Sequence, residues 1–203
     1  MRALLIGAGG HGKVVLDAWQ LAHPGLELEV RDDRPEVSVL LDCPVGHPAV
    51  PEMTRASDVH IAVGQNRCRQ DIATRMTRLG PRLASVIHPA ALVSGHAAIG
   101  PGVFVAARAI VGPGANVGTG TIVNHGAIVD HDCCVGDWAH IAPGAVLGGA
   151  VSVGHRVLVG AGAVILPGIQ IADDAVIGAG AVVTKNVGER QYWIGVPARI
   201  IYG

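Results

Sequence analysis

From Ile87 onward every sixth residue is aliphatic: Ile87, Val93, Ile99, Val105, Val111, Val117, Val123, Val129 and Val135, then Ile141, Leu147, Val153, Val159, Ile165, Ile171, Ile177 and Val183. The fifth place of each hexad is also small or aliphatic, as at Ala91, Ala97, Ala109, Ala115, Ala127, Cys133, Ala139 and Ala145. An amphipathic helix repeats near 3.6 residues and a simple strand at 2, so neither yields a period of six. Short strands joined by tight, glycine-bearing turns do. Three of them make a triangular coil of about eighteen residues, and coils stack strand on strand at about 4.8 Å. The aliphatic column fills such a prism and the small column lets its walls close. Both are core.

Residues 1–82 lack the hexad. Ala3-Leu4-Leu5-Ile6 reads as a buried strand and runs into Gly7-Ala8-Gly9-Gly10-His11-Gly12. A helical pattern follows over Val14, Val15, Ala18 and Leu21. Glu27–Arg31 reads as a second strand ending at Asp32-Asp33, and Val59–Val63 as a third ending at Gly64-Gln65-Asn66. Ile72, Met76 and Leu79 mark one face of a second helix, stopped by Gly80-Pro81. Strand–helix alternation predicts a small parallel α/β sheet with its ligand at the carboxyl ends of the strands, where all three polar clusters fall. The expected division is an α/β domain over 1–82 and a β-helix with a carboxyl-terminal cap over 83–203, joined through residues 83–88.

Composition narrows the classes. Half of the 203 residues are hydrophobic, yet only 3% are aromatic, and 29 are glycine, a sign of thin regular layers. The net charge of −1 gives no basic field for nucleic acid or an anionic membrane. No apolar run is long enough to span a bilayer, and the apolar start is too short for a signal peptide. Cys43, Cys68, Cys133 and Cys134 show no secreted-scaffold spacing, so a reduced cytoplasm is the expected location.

Gly7-x-Gly9-x-x-Gly12, with Asp32 twenty residues beyond, satisfies the dinucleotide fingerprint. About 80 residues supply only one mononucleotide-binding half, however, with no second half for a nicotinamide. What survives is a glycine loop opening a helix, suited to phosphate, and a carboxylate placed for a base or ribose. Lys13, after the loop, and Arg69, three residues beyond Asn66, are candidate partners for the sugar-nucleotide phosphates, and Lys185, near the end of the prism, for the phosphates of a coenzyme.

Gly-Gly-His-Gly followed by a hexapeptide β-helix, with Val63-Gly64-Gln65-Asn66 and Gly195-Val196-Pro197-Ala198-Arg199, resembles a known family over essentially the whole chain. It is the sugar O/N-acetyltransferase family, which includes UDP-4-amino-sugar N-acetyltransferases and sialic acid O-acetyltransferase-like proteins. The resemblance implies a Rossmann-like half domain that holds a nucleotide sugar, then a left-handed parallel β-helix, acetyl-CoA as co-substrate, and a homotrimer with active sites between prisms. Gly9 departs from the pattern, since relatives often carry Ser; the backbone donors remain but a hydroxyl is gone.

Asn124, His125, Asp130, His131, Asp132, Asp137 and His140 crowd one part of the prism. Asp130-His131-Asp132-Cys133 matches the motif whose histidine is the family's general base, and Asp132 is implied to raise its basicity. One coil of eighteen residues stacks His131 against Gly149, whose N–H is positioned for an oxyanion. The resemblance implies the same for Gly149. It also implies that His140, Ala161 and Ala179 line the coenzyme groove. Gly9, Gly10, His11, Lys13, Asp32, Asp33, Gly64, Asn66 and Arg69 are the expected sugar-nucleotide contacts. The reading is transfer of acetyl from acetyl-CoA to the amine of a nucleotide-linked amino-deoxy sugar. O-acetylation of a sugar hydroxyl or sialic acid, a non-catalytic sugar-nucleotide binder, and a zinc β-helix of the carbonic anhydrase kind are the alternatives. No metal is expected, because Cys133 occupies an inward place.

Overall fold

The computed structural model describes residues 2–34 and 36–201; residues 1, 35, 202 and 203, which the ranges 1–82 and 83–203 take in, lie outside it. The amino-terminal part runs β1 (Arg2–Ile6), α1 (Gly10–Ala22), β2 (Glu27–Arg31), β3 (Val39–Leu40), β4 (Cys43–Gly46), β5 (Asp58–Ile61), α2 (Asn66–Thr77) and β6 (Arg82–Leu83). The sheet order is β3-β4-β2-β1-β5-β6, with β1 parallel to both neighbours. Chain direction on either side of β1 diverges, which opens a crevice at its carboxyl end. The β3–β4 hairpin was not expected from the sequence. Its strands are too short to alternate visibly, and Leu41 and Asp42 turn at φ 43° and 64°.

Two apolar layers cover this sheet. Leu4, Ile6, Val59 and Ile61 pack with Ala73 and Met76 of α2. On the other side Leu5, Val15, Leu16 and Trp19 share a cluster with Val86, Phe104, Ala106 and Ile122 of the repeat region. The half domain therefore borrows core from its neighbour.

Beyond it the chain is a left-handed parallel β-helix of two-residue strands on three faces. The first face stacks Val86–Ile87, Phe104–Val105, Ile122–Val123, His140–Ile141, Leu158–Val159 and Val176–Ile177. The second stacks Leu92–Val93 through Val182–Val183, and the third Ala98–Ile99 through Gln170–Ile171. Each strand pairs with the one eighteen residues on, as Ile110 with Ile128 and Ile128 with Val146. The aliphatic column and the alanine column form one buried cluster, from Val105 and Ala109 to Val183 and Ala181. A buried Val or Ile contributes about 1.5–3 kcal/mol, so the repeat supplies its own driving force. Trp193 and Ala198 close the upper end, with Tyr192–Ile194 and Arg199–Ile201 paired antiparallel.

The connector is shorter than expected. Leu83 still pairs in the amino-terminal sheet and Val86 already belongs to the prism, so only residues 84–85 lie between. Ala84 is itself tied back, its N–H donating to Val59 O and its carbonyl meeting His60 Nδ1 at 2.8 Å. No helix among the described residues is long and apolar enough to cross a membrane.

Candidate active site

At the end of β1, Gly7 takes φ +112°, and a Cβ on Gly12 would collide with the Gly7 carbonyl. These two glycines let α1 begin hard against the strand. Gly9 is the N-cap, without a side-chain cap, and the first turn of α1 holds no acidic residue. The opening N–H groups have no intrahelical partner and form an electropositive mouth. Lys13 is exposed and lines a cavity of about 320 Å³ with Gly9, Gly10, Leu40 and Leu41.

Three expected nucleotide ligands are committed elsewhere. Asp32 is buried; it accepts from Ala8 N at 2.6 Å and from Arg34 N, Nε and Nη2 at 2.9–3.1 Å. The Arg34 guanidinium holds its carboxyl down to about 2. Asp32 braces the loop, whereas Asp33 is exposed, with Oδ1 accepting from Ala49 N and Oδ2 without a partner among the described residues. Arg69 is 1% exposed and gives its N–H groups to Val63 O, Gly64 O, Asn66 Oδ1, Gly120 O, Trp138 O and Ala139 O. A guanidinium has five N–H donors, so none is left for a phosphate. The Asn66 side chain donates to Arg156 O and Val157 O. Both residues bolt α2 to the prism corner, beside an ion pair from Arg67 to Asp174. Sequence reasoning read polarity at a strand end as ligand chemistry and missed the partner domain that consumes it.

The His11 ring turns toward the prism, with its centroid 5.4 Å from Phe104 and 6.4 Å from His140. Its Nε2 is buried without a partner, and burial, followed by nearby His60, pushes its pKa down to about 3. His140 Nε2 accepts from Asn124 Nδ2 at 3.1 Å, and burial pushes its pKa down to about 4. His140 also lines a cavity of about 550 Å³ with Gly64, Gln65, Leu158, Val176 and Tyr192. The first face thus leads from the amino-terminal crevice toward the edge that carries Ala161 and Ala179, both exposed.

His131 stands on a different edge, between the second and third faces. Its Nδ1 lies 2.8 Å from Asp132 Oδ2, and its N–H donates to Asp130 Oδ1. The hydrogen bond to Asp132 and then the charge of Asp130 raise its pKa. With Nδ1 turned to a carboxylate, Nε2 is the atom left to take a proton. It points at the next coil, where a Cβ on Gly149 would collide with it. Gly149 φ is not left-handed, so glycine is needed here for space beside the imidazole. The Gly149 N–H makes no hydrogen bond among the described residues. Lys185 is exposed in the same column, two coils above Gly149 and about 10 Å along the stack. Cys133 is fully buried and its thiol donates to Gly148 O, so it does not face His131. Among the described residues no group of three or more His, Cys, Asp or Glu side chains is placed to hold a metal ion.

Two family models match the chain, that of the PglD N-terminal domain over residues 2–76 and that of the GMPPB C-terminal domain over residues 82–175. No curated protein sequence matches it. Among solved structures, the acetyltransferase domain of PglB from Neisseria gonorrhoeae FA1090 is 35% identical, with a TM-score of 0.94 over 98% of this chain and 99% of that one. A variant of perosamine N-acetyltransferase from Caulobacter crescentus, solved with CoA and GDP-perosamine, is also 35% identical, with a TM-score of 0.94 over 100% of this chain and 98% of that one. WeeI from Acinetobacter baumannii AYE, 23% identical with a TM-score of 0.81 over 99% of each chain, shares the fold.

Proposed function

The chain belongs to the sugar acetyltransferase family of hexapeptide-repeat proteins, and on that premise we propose that it transfers acetyl from acetyl-CoA to the amine of a nucleotide-linked amino-deoxy sugar. The observation that carries this reading is His131 Nε2 standing against Gly149, with Nδ1 held by Asp132. The sugar amine attacks the thioester carbonyl, forming the C–N bond, while His131 Nε2 takes the proton that the nitrogen must shed. The Gly149 N–H meets the oxyanion. As the C–S bond breaks, the imidazolium returns its proton to the departing thiolate, and free CoA thiol leaves.

The amino-terminal crevice is assigned to the nucleotide, through the Gly9–His11 backbone, Lys13, Asp33 and Gly64. Lys185, Ala161, Ala179 and His140 are assigned to the coenzyme and its approach. His131, Gly149 and Lys185 share one prism edge, whereas Ala161 and Ala179 share another, with the whole second face between them. One prism therefore offers two half-grooves, and a groove with two walls needs a second copy. We accordingly assign a homotrimer. All four cysteines are free, which suits the reducing cytoplasm where this reading places the protein.

The test is release of CoA thiol from acetyl-CoA over a panel of amino-sugar nucleotides (UDP-, GDP- and dTDP-linked) and free sialic acid, on protein whose mass is read by light scattering. Thiol release with at least one amino-sugar nucleotide, from a species near three times 20.7 kDa, is expected. Release with sialic acid alone would make the acceptor a hydroxyl, and a fully active monomer would remove the shared groove.

A further inference from the structure

Arg34 lies outside the motifs read from the sequence, yet it sits at the mouth of the glycine loop. A Cβ built on Gly9 would come within 3.3 Å of its Nη2, so the guanidinium lies directly over the N-cap of α1. Asp32 holds it there as a fork, Nε to Oδ1 at 2.9 Å and Nη2 to Oδ2 at 3.1 Å, while the same carboxylate accepts from Ala8 N within the loop. The side chain is still half exposed, and Nη1 has no protein partner among the described residues. Glu36 is the other acid whose charge reaches it, and Lys13 is a cation that lines the cavity beside Gly9 and Gly10. A guanidinium braced on one edge by a carboxylate and open on the other is oriented before any ligand arrives, so little side-chain entropy is lost on binding.

Three further features point to an anion there. The first turn of α1 has unpaired N–H groups and no acid of its own. The N-cap, Gly9, has no side chain of its own, and the space beside it is taken by Arg34. The carboxylate that ordinarily reads a ribose, Asp32, is used up in holding the arginine.

We propose that Arg34 is a specificity-determining ligand of the nucleotide's diphosphate, closing from above the anion site that the α1 N-terminus opens. This rests on the nucleotide-sugar reading given above and adds a residue to it. Arg34 binds; it takes no part in proton transfer. Its contribution falls on phosphate-bearing ligands and spares the nucleoside portion.

Calorimetric titration of the full chain with UDP, GDP and dTDP and with uridine, guanosine and thymidine tests this, comparing wild type with Arg34→Met and Arg34→Lys. For the best-bound nucleotide, Arg34→Met is expected to raise Kd for the diphosphate about 10–100-fold and leave the nucleoside unchanged. Arg34→Lys, which keeps a charge but not the fork, recovers part of the loss. Equal losses for nucleoside and diphosphate would mean that Arg34 only shapes the loop, and no loss for either would also overturn the proposal. A wild-type protein that binds no diphosphate better than its nucleoside would overturn the nucleotide reading itself, a result distinct from failure of Arg34 alone.

Discussion

The prism edge and the domain junction each hold histidines, and the two environments push them in opposite directions. His131 is exposed beside Asp132 and Asp130, which raise its pKa. His11, His60 and His140 are enclosed between the glycine loop, Phe104 and Arg69, and burial drives them down to about 3 or 4. The inward columns of the prism form a buried cluster of their own, so the turn that carries His131, away from the domain junction, has no packing duty to perform. The amino-terminal unit is too small to close its own core, and its polar residues at strand ends are drafted into docking. A polar residue on a self-sufficient scaffold is thus a better functional candidate than one on a domain that leans on its neighbour.

The largest effect that would sharpen this comparison is the pH dependence of stability. A histidine buried neutral binds fewer protons folded than unfolded, so its stabilising contribution is complete above about pH 6.5 and is lost as pH falls toward 4. Three such groups should cost several kcal/mol by pH 4, at about 1.4 kcal/mol per pKa unit. Chemical denaturation between pH 7 and 4 should show the decline. A flat stability profile over that range would mean that the junction histidines are solvated and that the contrast with His131 is illusory.

A smaller effect, about 3–5 kcal/mol, is expected for Arg69→Met, which leaves buried carbonyls of both units without donors. Burial holds Arg69 down to about 10, so part of this loss is offset by removing a desolvated charge. Thermal unfolding reads the change. An undiminished stability with a raised KM for the sugar nucleotide would instead restore Arg69 as a phosphate ligand.

The prism was legible because its period is enforced by stacking: each aliphatic residue must sit above the one eighteen back, and any slip would expose the whole column. The same arithmetic set His131 against Gly149. The β3–β4 hairpin and the short connector left no comparable trace, being too brief for periodicity. The hydrogen bonds that occupy Asn66 and Arg69 left no trace, because most run to backbone carbonyls of the prism, far off in sequence and without a side-chain signature, and the Arg34 fork on Asp32 is likewise a matter of side-chain placement. Arg34 escaped notice for a related reason. Its meaning depends on Asp32 being used up, which only the hydrogen bonds reveal.

The central claim is that the prism edge performs the chemistry while the amino-terminal unit performs the recognition. Its most direct test is His131→Ala, with kcat/KM measured by thiol release and the Kd for the nucleotide sugar measured by titration of the same protein. General-base assistance contributes about 10²–10⁴-fold, so turnover should fall within that range while the nucleotide-sugar Kd stays at the wild-type value. Near wild-type turnover, or a loss of nucleotide-sugar binding that matches the loss of turnover, would contradict the division of labour.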